Sequence, residues 1–379
     1  MAGSRPRLVG LDVLRFAAAS IVLVGHTNNF GNTGKVFFET PGLIGKTLLV
    51  LAGGGWVAVD VFFVLSGFLV SGLLFREAAQ TGTLSISRFL IRRGFKIYPA
   101  FWVMIAFSIA MILRRGGSVS LLNLCGELFY FQNYGPSLQF HTWSLAVEEH
   151  FYFLLAGWFF ILKIRAGSNR PICFDGIPNV FLTVAILCLT LRFITWWVLD
   201  YSFQNHHWFV HADHALLDSL FFGVFLSYYW HNRWDDRAKQ KIISLRLPFA
   251  LVGLSLLLPG LLSVMDIQWF NIFGFVLIYL GAGCLLLGSL SLDYIRCPLF
   301  VRGLAWLGKY SYSVYLWHLV VGNYFFPLFE TKLNSLWGWA LDALIYFVLC
   351  WLIGILLACT VEFPMLRLRD RWFPSLARL

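Results

Sequence analysis

Long apolar runs separated by short polar segments dominate the sequence. A run of about twenty apolar residues is long enough for a helix to cross a bilayer. The pattern therefore predicts an all-α, polytopic membrane protein with about ten transmembrane helices. The predicted spans are 9–28, 47–75, 97–113, 144–164, 178–199, 212–231, 246–264, 269–290, 309–328 and 336–361. The polar segments between them are too short for a second folded unit, so we expect a single membrane domain over residues 1–379.

Composition supports a membrane protein, and the distribution of charge predicts its orientation. Hydrophobic residues make up 59% of the chain and charged residues only 13%, which is outside the range of soluble globular proteins. The net charge is +10, but most of the 29 Lys and Arg residues lie in segments predicted to share a side with the N-terminus. By the positive-inside rule that side is the cytoplasm, and both termini lie there. Topology thus accounts for most of the basic charge, and we expect no nucleic acid partner.

The first predicted helix carries three ionisable residues, Asp12, Arg15 and His26, in the apolar stretch LDVLRFAAASIVLVGHT. Arg15 interrupts the apolar core that a cleavable signal peptide would need. A separation of eleven residues places Arg15 and His26 within about 20° of one helix face and about 16 Å apart along the axis. Because ionisable groups at membrane depth are costly, this pattern indicates a site reached from both sides of the membrane. The alternative is that Arg15 extends to the headgroups and His26 caps the outer helix end.

A basic, amphipathic segment at 84–96 precedes the third span, which is predicted to begin near Pro99. Arg92, Arg93 and Lys96 are clustered closely enough to bind a phosphate group, for which arginine offers two parallel hydrogen bonds. The same pattern is also typical of a segment that lies in the membrane interface and binds anionic lipid. Both interpretations stay open on this evidence.

The second and fourth spans contain further polar residues. In the second, Asp60 is predicted to be buried, and the pair Ser66–Gly67 would let a neighbouring helix or a ligand approach closely. In the fourth, HTWSLAVEEHFY, Ser144 and Glu148 are one helical turn apart and share a face. Glu148 and Glu149 would lie in the same half of the membrane as His26. A carboxylate that orients an imidazole is the usual arrangement of a general base, and a structural ion pair is the alternative.

Histidines supply two more candidate sites. A cluster of histidines precedes Asp218 and consists of His206, His207, His211 and His214. The spacing of His211, His214 and Asp218 predicts that these three share one helix face. Zinc binding is conceivable there, but neither this cluster nor the seven cysteines form a clear ligand set, so no metal is expected. The preferred interpretations are hydrogen bonding to a substrate or to neighbouring groups at the outer rim of the membrane. In the ninth span, His318 lies one turn from Tyr315 and either lines a cavity or binds a neighbouring helix.

Seven segments together resemble the acyltransferase-3 family of integral membrane O-acyltransferases, in the family's order and over nearly the whole chain. They are LDVLRFAAASIVLVGH, GGWVAVDVFFVLSGFL, RFLIRRGFKIYPAFW, HTWSLAVEEHFYF, DSLFFGVFLSY, GKYSYSVYLWH and VEFP. The resemblance implies a ten-helix membrane domain that takes an acyl group, usually acetyl, from cytoplasmic acyl-CoA. The group is delivered to a hydroxyl of an extracytoplasmic or lipid-linked acceptor, commonly a sugar.

The resemblance also assigns roles to residues. Arg15 and His26 match the family's arginine–x10–histidine motif, with His26 as the catalytic imidazole. Arg93 and Lys96 match a basic pair implicated in acyl-CoA binding, although Lys96 stands where the family usually has arginine. Lysine binds phosphate as a point charge, so we expect weaker geometric control rather than loss of function. Ser144, Glu148 and Glu149 match the family's Trp-Ser-Leu…Glu-Glu element.

These interpretations combine into one mechanism, with acetyl-CoA as the expected donor. Arg15, Arg92, Arg93 and Lys96 bind the donor. His26, oriented by Glu148 or Glu149, takes the proton of the acceptor hydroxyl or forms an acyl-histidine intermediate. The acceptor site is expected to be lined by Asp12, Asp60, Ser66, Trp143, Ser144, His214, Asp218, Tyr315 and His318.

The expected location is the bacterial cytoplasmic (inner) membrane, with membrane lipid as a general partner. The acceptor is a lipid-linked or extracytoplasmic glycan or a glycosylated small molecule. Because the chain stops after the tenth span without the hydrolase-like domain of many relatives, we expect that it either completes the transfer itself or hands the acyl group to a separate extracytoplasmic partner protein. The rival hypothesis is a secondary transporter or flippase, but no repeat relates the two halves of the chain.

Overall fold

The computed structural model describes residues 8–27, 53–167, 170–199, 212–262, 268–331, 333 and 335–376. Within these ranges all regular structure is helical. The α-helices are α1 Val9–His26, α2 Val57–Thr81, α3 Ile86–Arg114, α4 Leu121–Leu128, α5 Trp143–Ala166, α6 Ile177–Val198, α7 Leu217–Tyr228, α8 Asp236–Ser244, α9 Arg246–Leu262, α10 Gln268–Leu290, α11 Leu299–Gly308, α12 Ser311–Val320, α13 Leu336–Leu357 and α14 Phe363–Trp372.

Seven helices of the described residues are long and apolar enough to cross a membrane, and α8 with α9 forms one more candidate, bent by 66°. The spans predicted at 212–231 and 309–328 contain the shorter helices α7 and α12, each followed by a π-helical turn. The start of the second predicted span, 47–52, lies outside the described residues. The protein is therefore a multi-pass membrane protein, while the count of about ten spans and the cytoplasmic placement of the termini stay predictions.

The third span corrects the sequence-based boundary. An interfacial segment at 84–96 followed by a span from Pro99 was expected, but α3 runs without a break from Ile86 to Arg114, with Pro99 inside it. Proline removes one backbone donor, and the packing of α3 against α5 and α14 holds the rest of the helix together. The basic residues and the apolar span therefore belong to one rigid element.

Helix α2 lies at the centre of the bundle, and most of its residues are buried. It packs most closely on α7, where glycines allow direct contact between the two backbones. A Cβ atom on Gly67 would lie 2.0 Å from the carbonyl oxygen of Leu220, and one on Gly223 would lie 2.2 Å from that of Val64. The close approach predicted for the Ser66–Gly67 pair thus takes place against α7.

A buried polar network joins α2, α6 and α7. Arg192 donates to Asp218 at 2.6 and 2.8 Å and to the carbonyl oxygen of Ala215 at 2.9 Å, while Ser219 donates to Asp60 at 2.5 Å. Arg192 and Asp218 are 2% and 1% exposed, so solvent does not screen their interaction. Asp60 and Asp218, expected in the acceptor site, therefore hold helices together in this structure.

We predict that Asp218→Asn strongly destabilises the protein, by about 3–5 kcal/mol, because Arg192 would keep a buried charge without its carboxylate partner. Thermal unfolding of the detergent-purified protein measures the effect. Asp236→Asn is the control, since Asp236 is exposed in the first turn of α8. An Arg192→Met/Asp218→Leu double variant should recover most of the loss. Equal melting temperatures for Asp218→Asn and the control would contradict this prediction.

Candidate active site

A cavity of about 220 Å³ lies between α1, α2, α3, α5 and α12. Its wall combines apolar side chains with cations, one carboxylate and several hydroxyls. The polar lining residues are Arg15, Ser66, Arg93, Lys96, Ser144, Glu148, Tyr152, Ser311, Tyr312 and Tyr315. Seven of these ten were selected from the sequence, and the structure brings them together from five helices. We call this space the central cavity.

Three cations define one part of the central cavity, and each has a partner that stabilises its charge. Arg15 donates to Asp12 at 2.7 Å, and a role of Asp12 in acceptor binding stays a prediction. The Arg93 guanidinium lies 5.2 Å from the centre of the Tyr152 ring. Lys96 lies over Tyr312 and forms an ion pair with Glu362, which also accepts a hydrogen bond from Ser313 at 2.6 Å.

A second cavity, also of about 220 Å³, adjoins the first and shares Arg93 and Lys96 with it. We call it the basic cavity, because Arg88, Arg92 and Arg369 also line it. The C-terminal segment closes one side. Arg88 donates to the carbonyl oxygen of Pro374 at 2.8 Å, and Arg92 pairs with Asp370 at 3.0 Å and donates to the carbonyl oxygen of Phe373.

Two of these arginines were not selected from the sequence. Arg88 lies one helical turn before Arg92, so the spacing within α3 could have indicated it. Arg369 comes from α14, far along the chain, and no local signal connects it to the cavity. The basic cavity thus collects more cations than the sequence predicted.

The adjacent carboxyls of Glu148 and Glu149 lie in different surroundings, as expected for consecutive positions about 100° apart on a helix. Glu148 lines the central cavity together with Ser66 and Tyr152, whose hydroxyls are hydrogen-bonded to each other at 2.7 Å. Glu149 accepts a hydrogen bond from Tyr98 at 2.8 Å. Orientation of His26 by one of these carboxyls stays a prediction.

Three histidines meet beyond the central cavity. The ring centres of His26 and His318 are 4.8 Å apart, and those of His141 and His318 are 4.9 Å apart. Tyr315 connects this histidine cluster to the cavity. Its hydroxyl forms a 2.6 Å hydrogen bond with Ser144 and donates to the carbonyl oxygen of His141 at 2.9 Å. The sequence analysis selected His26 and His318 but not His141, which stands three residues before Ser144.

A buried carboxyl outside the spans fixes the backbone around His141. Glu127, in α4, accepts hydrogen bonds from the Thr142 hydroxyl and from the backbone N–H groups of Leu138 and Gln139. Burial raises the pKa of the Glu127 carboxyl, while these hydrogen bonds oppose the rise. The segment that carries His141 is therefore anchored on both sides of that residue.

The remaining predicted residues lie elsewhere. Trp143 packs edge-on against Phe63 at 6.1 Å. His214 lies within 3.4 Å of the Tyr134 hydroxyl, in the 3-10 turn Asp213–Ala215, so the prediction that it shares a helix face with Asp218 is wrong. The backbone of Leu216, with φ −137° and ψ −10°, is not helical, so α7 begins only at Leu217. His206, His207 and His211 lie outside the described residues, among which no group of three His, Cys, Asp or Glu side chains could hold a metal ion.

Buried cations, a carboxylate and hydroxyls line one cavity of this multi-pass membrane protein, and three imidazoles lie beyond it, an arrangement typical of an enzyme site. Comparison with known sequences gives the family. A family model described as an acyltransferase domain, Acyl_transf_3, matches residues 8–359. The chain belongs to this acyltransferase family, as its motifs predicted.

Several relatives are O-acetyltransferases by name. Peptidoglycan O-acetyltransferase OatA of Listeria monocytogenes is 25% identical over 320 residues, which are 79% of this chain and 50% of the relative. A putative O-acetyltransferase of Staphylococcus aureus strain COL is 26% identical over 333 residues, 82% of this chain and 50% of the relative. The chain spans about half the length of the curated relatives it matches. No solved structure matches it.

We predict that Lys96→Met lowers the stability of the protein by about 3–5 kcal/mol, because it leaves the Glu362 carboxyl, 1% exposed, without its cation. Lys96→Arg should keep the charge and most of the stability. A Lys96→Met/Glu362→Met variant removes both charges and should unfold close to the wild-type temperature. Differential scanning fluorimetry in detergent compares the three, and a Lys96→Met protein as stable as wild type would show that the ion pair is not needed.

Proposed function

We propose that this protein transfers an acetyl group from acetyl-CoA to a hydroxyl of a carbohydrate acceptor. The observation that carries the proposal is that the two cavities adjoin at Arg93 and Lys96, with a group of arginines on one side and the Ser144–Tyr315 pair, next to the histidine cluster, on the other. The family and the names of its relatives support acyl transfer over the transporter hypothesis.

The basic cavity suits the nucleotide end of the donor. CoA carries several phosphate groups, and Arg88, Arg92 and Arg369 offer planar donors that bind phosphate through two parallel hydrogen bonds. Opening this site requires the arginines to exchange backbone carbonyls and Asp370 for phosphate oxygens. Their position on α3 and α14 is consistent with entry of the donor from the cytoplasm, the side predicted from the charge distribution.

The central cavity suits the narrow pantetheine arm and the thioester. Arg93 and Lys96 lie where the two cavities meet, and Ser144 and Tyr315 lie next to the histidine cluster. A donor bound with its phosphates at the arginines would thus present its thioester toward the hydroxyls and imidazoles.

The chemistry then needs a base for the acceptor hydroxyl, and His26 is the assigned residue. As the hydroxyl loses its proton to the imidazole, its oxygen forms a bond to the acetyl carbonyl carbon. The carbon–sulfur bond breaks, and the CoA thiolate takes up the proton. General-base catalysis of this kind contributes about 10²–10⁴-fold to the rate. Transfer through an acetyl-histidine is the variant required if donor and acceptor cannot meet directly.

The acceptor class follows from the relatives and from topology. The Listeria relative is named as acting on peptidoglycan, a glycan. A lipid-linked or extracytoplasmic glycan, or a glycosylated small molecule, would reach the histidine cluster from the side opposite the donor, in a bacterial inner membrane. A separate extracytoplasmic protein could receive the acetyl group in a longer relay.

His26→Ala should reduce acetyl transfer by about 10²–10⁴-fold and leave membrane insertion and melting temperature close to wild type, because only the base is removed. Release of CoA thiol from acetyl-CoA, with peptidoglycan fragments as acceptor, measures the rate. His231→Ala is the matched control, since His231 lines neither the central nor the basic cavity. A His26→Ala protein with full activity would refute the assignment.

Arg88→Gln and Arg93→Gln should each weaken acetyl-CoA binding about tenfold, which is the loss of one charge-assisted hydrogen bond. Isothermal titration of the detergent-purified protein with CoA and acetyl-CoA gives the affinities, which should also fall with added salt. Arg237→Gln in α8 is the control, because Arg237 is exposed and outside both cavities. No binding of either ligand to the wild type would refute the donor assignment.

A further inference from the structure

Two ring nitrogens in the histidine cluster are buried without a hydrogen-bond partner in the described part of the chain. They are Nδ1 of His141 and Nε2 of His318. His141 is 2% exposed and His318 is fully buried. Buried polar atoms are nearly always hydrogen-bonded, so two such atoms on adjacent rings indicate that something else binds there.

The other nitrogen of each ring fixes its tautomer. Nδ1 of His318 is bonded to the carbonyl oxygen of Tyr315, and Nε2 of His141 is bonded to the carbonyl oxygen of Leu316 at 2.9 Å. A carbonyl oxygen only accepts, so each of these nitrogens carries the hydrogen. In the neutral rings, Nε2 of His318 and Nδ1 of His141 therefore both present a lone pair.

Two acceptor nitrogens cannot form a hydrogen bond with each other, so the two rings require a molecule that brings hydrogen-bond donors. Both rings are held by consecutive carbonyls of α12, and the chain around His141 is anchored by Glu127. The two acceptor atoms are thus positioned before any ligand binds, which reduces the entropy lost on binding.

We infer that His141 and His318 form the acceptor subsite of the proposed acetyltransferase, and that they bind two hydroxyl groups of one saccharide. This inference rests on the proposed function. Nε2 of His318 and Nδ1 of His141 each accept a hydrogen bond from a hydroxyl, next to the hydroxyl that reacts at His26. The ring of His318 lies 4.8 Å from that of His26, so one sugar can reach both. The subsite selects polyhydroxyl acceptors and disfavours simple alcohols.

Conservative variants separate this role from a structural one. His318→Asn keeps an N–H donor for the carbonyl of Tyr315 and loses the atom at the Nε2 position. His141→Gln keeps a donor for the carbonyl of Leu316 and loses the atom at the Nδ1 position. His231→Asn, in the π-helical turn after α7 and outside the cluster, is the control. Melting temperatures and acetyl-CoA affinity of all three should match wild type.

The experiment measures acetyl transfer to methyl glucoside and to its monodeoxy analogues by the full chain in detergent. We expect His318→Asn and His141→Gln to raise the KM for methyl glucoside about tenfold, the equivalent of one lost hydrogen bond. One monodeoxy analogue should show the same increase with wild type and no further increase with the variant, because the same hydrogen bond is removed twice.

The outcomes are distinct for the two proposals. The acceptor subsite would be overturned if the variants kept the wild-type KM. It would also be overturned if the KM increase caused by a monodeoxy analogue added to the increase caused by each variant. Either result leaves acetyl transfer by the wild type standing. A wild-type protein that neither binds acetyl-CoA nor acetylates any saccharide would overturn the proposed function and the subsite with it.

Discussion

A charged side chain inside a helix bundle is stable only where another group compensates its charge, and this constraint organises the whole protein. Arg192 has Asp218, Lys96 has Glu362, and Arg15 has Asp12. The Arg192–Asp218 pair is buried and joins α6 to α7. The other two border the central cavity, where an incoming anion could compete for the same cations. One ion pair thus joins helices inside the bundle, and the other two lie at a cavity wall.

The second organising element is the uninterrupted helix α3. It carries Arg88, Arg92, Arg93 and Lys96 on successive turns and continues as an apolar span. Because these cations sit on one rigid element, their spacing is fixed by helix geometry rather than by loops. The two cavities meet along this helix at Arg93 and Lys96, and Ser144 and Tyr315 line the same cavity as these two cations.

Local patterns predicted the parts of this structure that depend on neighbouring residues. The length of the apolar runs predicted the long helices, and the motifs, combined through the family resemblance, predicted that Arg15, Arg93, Lys96 and Glu148 belong to one site. The partners could not be predicted, because Lys96 and Glu362 are separated by 266 positions and meet only through tertiary packing. The same holds for His141, whose neighbour His318 lies in another helix. The shared helix face of His214 and Asp218 failed because a turn, which helical spacing ignores, separates them.

The glycine contact between α2 and α7 has a mechanical consequence. Two backbones that touch at Gly67 and Gly223 leave no side-chain layer that could rearrange, so these helices can only move as one body. The opposite wall, α3 against α14, is joined near its water-facing end by side chains such as Arg92 and Asp370. Partly exposed ion pairs of that kind are worth only about 0–1 kcal/mol each. The contact between α3 and α14 is therefore held by weaker interactions than the backbone contact between α2 and α7.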